Sequence, residues 1–262
     1  MNCKNIVHTT GIGDFIAIDA YLTDAEKIKL EKIYFINEIY KQHNIKNIIE
    51  RSKKYNHKIK FIELHNHYID EWDTRRKILH ENKINLNNSL IDFEFIWGYS
   101  QYKKIKNLKN YFFKSPIANC KKFNLPEKYC GIIPFTNKER QFDKKDWNQV
   151  FKILNFLKLK GVVLGQLNKV NFRNNDIINL NQSTSIYEAI EIIKNCSYYL
   201  GIDSFLSIIA SSHLPSHKIQ IKSKIKNCIE NFKFYYPCQE NINIIRSDIN
   251  FKYFIGNYYK LL

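Results

Sequence analysis

The sequence has no CxxC pair, and its six cysteines, Cys3, Cys120, Cys130, Cys196, Cys228 and Cys238, are scattered along the chain. That excludes a cysteine-paired zinc knuckle and a disulfide framework of the kind small secreted domains rely on. The thiols read as reduced and buried in a cytosolic protein. No uncharged apolar run reaches the roughly 18 residues that a spanning helix needs, so any membrane contact is expected to be peripheral. The opening Met1-Asn2-Cys3-Lys4-Asn5 leads into a short apolar stretch that soon meets Gly13-Asp14, which does not fit a signal peptide. Acidic residues are in short supply: 25 Asp+Glu stand against 41 Lys+Arg, for a net charge of +16. Such an excess attracts anions, whether nucleic acid, lipid headgroups or phosphorylated sugars. It is also what compositional bias produces in a chain this rich in Lys, Asn, Ile and Tyr.

What is present is a globular composition, with 44% hydrophobic and 25% charged residues over 262 positions. That length suits two small domains with cores of their own. Short apolar runs alternate with stretches of helical period, the mark of βαβ units and a parallel sheet. Strands are expected at 5–9, 32–36 and 59–64, with helices at 14–25 and 38–51. Residues 69–114 are rich in aromatics and fit either helices or a strand between helices. Pro116 and Pro126 bracket a stretch without periodicity, and the boundary is placed there, giving domains 1–125 and 126–262. The alternation then restarts, with strands at 129–135, 162–164, 177–180, 198–202 and 218–221. Helices are expected at 144–159, 185–195, 203–212 and 251–262, the last packing back across the domains.

Four stretches combine residues suited to anion chemistry. Thr9-Thr10-Gly11-Ile12-Gly13-Asp14 ends the first strand, where glycines permit a tight turn and the following helix presents free N–H groups. A dinucleotide fingerprint would need a third glycine at position 16, which is Ile16. Asp14 also reads as a carboxylate favoured by the helix dipole. Leu200-Gly201-Ile202-Asp203-Ser204 again delivers small and polar residues to a helix start, and Ser204 and Ser207 add hydroxyls that suit a diphosphate or merely cap the helix. Phe135 to Arg140 is a polar loop whose Lys138 and Arg140 could neutralise phosphate. Glu188 suits a ribose, and equally completes a capping box begun at Ser185.

Taken in order, these stretches resemble the heptosyltransferase-like glycosyltransferases of family 9. The family's G-x-G-D is Gly11-Ile12-Gly13-Asp14. Its strand and basic loop before a Trp-bearing helix run from Ile133-Pro134-Phe135 through Arg140 to Trp147. Its T-S-x-x-E is Thr184-Ser185-Ile186-Tyr187-Glu188, and its D-S-G-x-x-H-x-A is Asp203 to Ala210. The likeness is clearest over 129–215.

The resemblance implies a GT-B-like α/β fold: two Rossmann-like domains with parallel sheets facing an interdomain cleft. It implies inverting, metal-independent transfer of a sugar such as a heptose to a hydroxyl of lipopolysaccharide or another surface glycan. The donor would be a nucleotide-diphosphate sugar, with no further cofactor. Asp14 matches the general base, and Gly11 and Gly13 belong to its loop. Lys138 and Arg140 would lie near the phosphates, Glu188 at the ribose, and Asp203, Ser204 and Ser207 in the diphosphate loop. Two positions depart from the pattern: Phe205 replaces the glycine and Ile208 the histidine, which puts activity in question. An anionic glycolipid acceptor at a membrane face would give the positive charge a use.

Other classes have weaker support. Leu64-His65-Asn66-His67-Tyr68 with Asp70 and Asp73 is a candidate metal set, without a second ligand pair at fixed spacing. A basic nucleic-acid binder without catalysis fits the charge, but the basic residues are spread out and no reading module is visible, so nucleic acid is not expected as a partner. A sugar-nucleotide epimerase on the same fold would turn over without an acceptor.

Overall fold

In a computed structural model, the described residues are 4–8, 12–22, 24–36, 45–47, 49–50, 54–64, Lys77, 80–85, 88–91, 118–137, 140–165, 175–223 and 245–259. The chain divides into two compact units, Met1–Lys106 and Asn107–Leu262. Residues 118–125, which the proline bracket assigned to the first domain, therefore belong to the second unit. Cys120 Sγ donates to the Glu188 carbonyl at 3.7 Å and Lys122 pairs with the Glu188 side chain, ties to the second unit that local periodicity does not reveal.

The first unit carries β1 (Asn5–His8), α1 (Ile12–Tyr21), α2 (Asp24–Lys29), β2 (Lys32–Ile36), β3 (Lys60–Leu64) and β4 (Ser89–Ile91). Its sheet has the order β3-β2-β1-β4, and every pairing is parallel. The strand β4 settles the ambiguity of the aromatic-rich segment at those three positions. The single helix expected at 14–25 is instead two. The second starts at Asp24, with Asp24 and Glu26 in its first turn and Lys27 and Lys29 in its last, the charge order a helix dipole favours. Ile6, Val7, Phe15, Ile18, Ile33 and Phe35 belong to the buried core of this unit. Beside it Lys27 pairs with Asp19 at 2.7 Å, and Tyr55 also donates to that carboxylate.

The second unit runs β5 (Tyr129–Ile133), β6 (Phe135–Asn137), β7 (Arg140–Gln141), α3 (Lys144–Leu157), β8 (Lys160–Val163), β9 (Ile177–Asn179), α4 (Ile186–Asn195), β10 (Tyr198–Ile202), α5 (Phe205–His213), β11 (Ile219–Lys222), β12 (Ile245–Arg246) and α6 (Phe251–Tyr259). Six of these strands form one parallel sheet in the order β12-β11-β10-β5-β8-β9. Numbered along the chain, that is 6-5-4-1-2-3, the doubly wound order of dinucleotide-binding sheets. The expected strand through Phe135 stops at Ile133 because the chain turns at Pro134, whose carbonyl accepts from Phe142 N at 2.7 Å. The polar loop beyond it is an antiparallel hairpin, β6 with β7. The two-residue β12 was not expected, being too short for any periodicity.

Local chemistry explains the helix limits. At the start of α3, Asp143 Oδ1 accepts from Asp146 N at 2.9 Å while Asp146 Oδ2 accepts from Asp143 N at 2.9 Å, a reciprocal box. The helix ends at Lys158, which takes a left-handed conformation. One face of the sheet is covered by α3 and α6, whose Val150, Ile153, Leu154 and Phe254 close over Cys130, Ile132, Val163, Leu200 and Ile202. Phe254 and the preceding Ile249 thus anchor the last helix within the second unit.

Candidate functional site

Because all six strands of the second sheet are parallel, their carboxyl ends share one edge. Between β5 and β10 the connections diverge: β5 leads toward β8 on one side, β10 toward β11 on the other. Open α/β sheets bind ligands outside the strand ends at such a divergence. The chain leaves β5 into the β6–β7 hairpin and leaves β10 through Asp203 and Ser204 into α5. Two stretches more than 60 residues apart in sequence therefore leave neighbouring strands at the same edge. The start of α4, with Ser185 and Glu188, stands on the same edge, since α4 follows β9.

The Asp203–Ser204 turn is clamped from both sides. Asp203 N donates to the Lys222 carbonyl of the neighbouring strand at 3.0 Å. The Ile202 carbonyl accepts from Ser207 Oγ at 2.7 Å. Ser207 has no exposed surface, and its oxygen also meets the Tyr199 hydroxyl at 2.8 Å. Ser207 thus braces the turn from beneath and does not offer its hydroxyl to a ligand, which corrects the sequence expectation for this residue. Ser204 is half-buried at the N-cap of α5 and its side chain does not cap the helix. Ser207 N donates instead to the Ser204 carbonyl at 3.0 Å, and the hydroxyl does not take the amides of the first turn. Ile208, in the place of the family histidine, is a core residue with 3% exposure, so no polar contact arises there. Phe205 is the first residue of α5 and half-buried.

Glu188 is fully engaged. Its Oε2 accepts from Ser185 N at 2.7 Å, and Glu188 N donates to Ser185 Oγ at 3.3 Å, which is the capping box the sequence suggested. Its other oxygen lies 2.6 Å from Lys122 Nζ. The Lys122 hydrogen bond, with the Ser185 amide, holds this carboxyl below its ordinary pKa. Lys122 was not singled out from sequence, and no local pattern points from Lys122 to a residue 66 positions away.

On the hairpin, Arg140 lies in β7 opposite Asn137; its backbone alone is described, and Lys138 lies outside the described residues. A second group missed by sequence reading sits just beyond. Lys222, at the carboxyl end of β11, pairs with Asp146 in the first turn of α3 and lies 3.6 Å from Asp143 Oδ2. Asp146 Oδ1 also accepts from Ile249 N at 3.2 Å. Asp143 is held below its ordinary pKa mainly by the Asp146 amide, with Lys222 adding to the effect. The spacing Asp143-x-x-Asp146 was a legible capping signal; the lysine was not.

In the first unit, α1 is the next element after β1, and Gly13 and Asp14 lie in the first turn of that helix. This sheet also reverses its order, between β1 and β4. Asp14 is thus placed at a sheet edge of the same kind; Gly11 lies outside the described residues, as do His65, His67, Asp70 and Asp73. Among the described residues no three His, Cys, Asp or Glu gather as metal ligands, and no helix is long and apolar enough to cross a membrane.

Two parallel α/β sheets, each with an order reversal at which a strand hands over to a helix, define a fold of the Rossmann-like, GT-B class. Solved structures with this fold include the glycosyl transferase family 9 protein from Veillonella parvula DSM 2008, at TM-score 0.55 and 11% identity over 98% of this chain and 96% of that one. They also include the E. coli heptosyltransferase WaaC with ADP, at TM-score 0.52 and 9% identity. A third is E. coli ADP-heptose lps heptosyltransferase II, at 0.51 and 11%. Both E. coli matches cover 98% of each chain. No family model and no curated protein matches the sequence.

Proposed function

We propose that this chain is a glycosyltransferase that moves a sugar from a nucleotide-diphosphate donor to a hydroxyl of a surface glycan such as lipopolysaccharide. The observation that carries the reading is that the hairpin bearing Arg140, the Asp203–Ser204 turn and the start of α4 with Glu188 all follow carboxyl ends of strands in the second sheet. The match in fold to family 9 and heptosyltransferase structures along nearly the whole chain supports it.

In this reading the amides at the start of α5, the Ser204 hydroxyl and the basic side chains of Lys138 and Arg140 take the donor's diphosphate and stabilise the charge it gains on leaving. Asp14 takes the proton from the acceptor hydroxyl as that oxygen attacks the anomeric carbon and the bond to the diphosphate breaks. The product is inverted at that carbon, and the chain's own donors do the work a metal would otherwise do. Glu188 meets the ribose once Lys122 yields its oxygen. A heptose is the sugar the resemblance favours, with a glycolipid acceptor reached by peripheral contact at the inner face of the membrane.

The test is a melting-temperature panel with ADP-, GDP-, UDP- and CDP-sugars, since a ligand that binds only the folded state raises the melting point according to its affinity. A shift confined to one base, abolished by Arg140→Ala or Glu188→Ala and retained by Ser185→Ala, supports the site. Ser185→Ala removes the cap while keeping the carboxylate, so it separates ribose binding from helix capping. No shift with any donor, alongside salt-sensitive binding to nucleic acid, would replace this reading with the basic binder. Product formed without an acceptor would point to the epimerase.

A further inference from the structure

Beneath the Asp203–Ser204 turn lies a chain of hydroxyls that the proposed chemistry does not itself use. Tyr199 is completely buried, and burial raises its phenol well above the ordinary range, so it remains a neutral donor. The ring folds across Gly201 so closely that a Cβ built there would stand 2.3 Å from the phenolic oxygen, an approach only glycine allows. Gly201 therefore makes room for Tyr199 to reach Ser207 on α5, at 2.8 Å.

The direction of each bond follows from counting protons. Ser207 has one hydroxyl proton, and the Ile202 carbonyl 2.7 Å away can only accept, so Ser207 spends its proton there. Tyr199 must then donate to Ser207. What remains on Ser207 is a lone pair facing Ser204 Oγ at 3.4 Å, too long for a strong hydroxyl contact. Ser204 also hydrogen-bonds the Tyr199 phenol, so the turn's own hydroxyl is tied to the same buried pair. The Ile202–Asp203 peptide is meanwhile pinned at both ends, its carbonyl by Ser207 and its N–H by Lys222.

We propose that Tyr199 and Ser207 are positioning residues for the diphosphate: the buried relay Tyr199→Ser207→Ile202 carbonyl sets the Asp203–Ser204 turn against which the diphosphate would bind. In this chain the relay supplies rigidity at a turn where Phe205 and Ile208 replace the family glycine and histidine. The inference rests on the sugar-nucleotide reading of the site.

The experiment measures, by calorimetry, the affinities of ADP, GDP, UDP and CDP and of their parent nucleosides for wild type, Tyr199→Phe, Ser207→Ala and the double variant. With the base that wild type prefers, each single variant is expected to bind the diphosphate about five- to tenfold more weakly, the worth of one hydrogen bond. Nucleoside affinity should be unchanged, and the double variant should lose no more than Ser207→Ala alone. Equal losses for nucleoside and diphosphate, or a lower melting point with an unchanged ratio of the two affinities, would overturn the proposal. Tyr199→Phe is isosteric and decides the matter by itself if Ser207→Ala does not fold. Failure of wild type to bind any of the four diphosphates removes the sugar-nucleotide reading and this inference with it, whereas binding by wild type with indifferent variants removes the inference alone.

Discussion

Lys222 reaches from the end of β11 to Asp146 in the first turn of α3, and the two side chains are only 7% and 1% exposed. A third partner, Ile249 N, joins the same carboxylate just before α6. One buried pair therefore holds together a strand, the start of one helix and the approach to another. Removing the lysine leaves the Asp146 carboxylate buried without its counter-charge.

That arrangement predicts that Lys222→Met destabilises the second unit by about 3–5 kcal/mol, the cost of an uncompensated buried charge. Pairing it with Asp146→Asn should recover part of the loss, because the amide can still accept from one backbone N–H. Urea denaturation of the three variants checks both statements, and equal losses for the single and double variants would refute the coupling.

Gly201→Ala places a methyl carbon 2.3 Å from the Tyr199 oxygen and 2.5 Å from its Cζ. Because the ring is fully buried, this is an overpacking change of about 1–3 kcal/mol. The melting point should fall, and Tyr199→Leu added to Gly201→Ala should restore part of it by clearing the space.

Ser185→Ala removes the acceptor for Glu188 N and should cost about 1 kcal/mol. A loss of far-ultraviolet helix signal at moderate urea concentration, ahead of the main transition, is the expected sign of fraying at α4.

The Glu188 carboxyl is held below its ordinary value of 4.5 by Lys122 first and then by Ser185. A depressed carboxyl contributes stability that is complete above the unfolded value and is lost as pH falls through the folded one. Because Lys122 is 59% exposed, the pair contributes no more than about 1 kcal/mol. Wild type should accordingly be more stable than Lys122→Ala at pH 7 and converge with it below pH 4.5. Unfolding curves across pH 3 to 7 provide the check.

Much of the frame was legible residue by residue. The runs Asn5–His8, Lys32–Ile36 and Tyr198–Ile202 are short and apolar, and each is a strand. Ser185-x-x-Glu188 announced the start of α4 and does cap it. At Ser207 the same kind of reading misled, since a hydroxyl near a helix start looks available until the packing of Tyr199 is known. Glu188 was legible both as a cap and as a ligand, and only its contact with Lys122 shows that its second oxygen is already occupied.

The sequence by itself determined the alternation of strands and helices, because apolar period and capping chemistry act within a few residues of one another. It also placed Asp14, Arg140, Glu188 and Asp203 next to expected strand ends or helix starts. Only the tertiary structure decided the strand order, which puts the loop after Ile133 beside the turn after Ile202. It alone paired Lys222 with Asp146 and stacked Tyr199 over Gly201. Those contacts depend on which strands become neighbours, and that is settled by burying both faces of the sheet at once, a condition no local window of sequence contains.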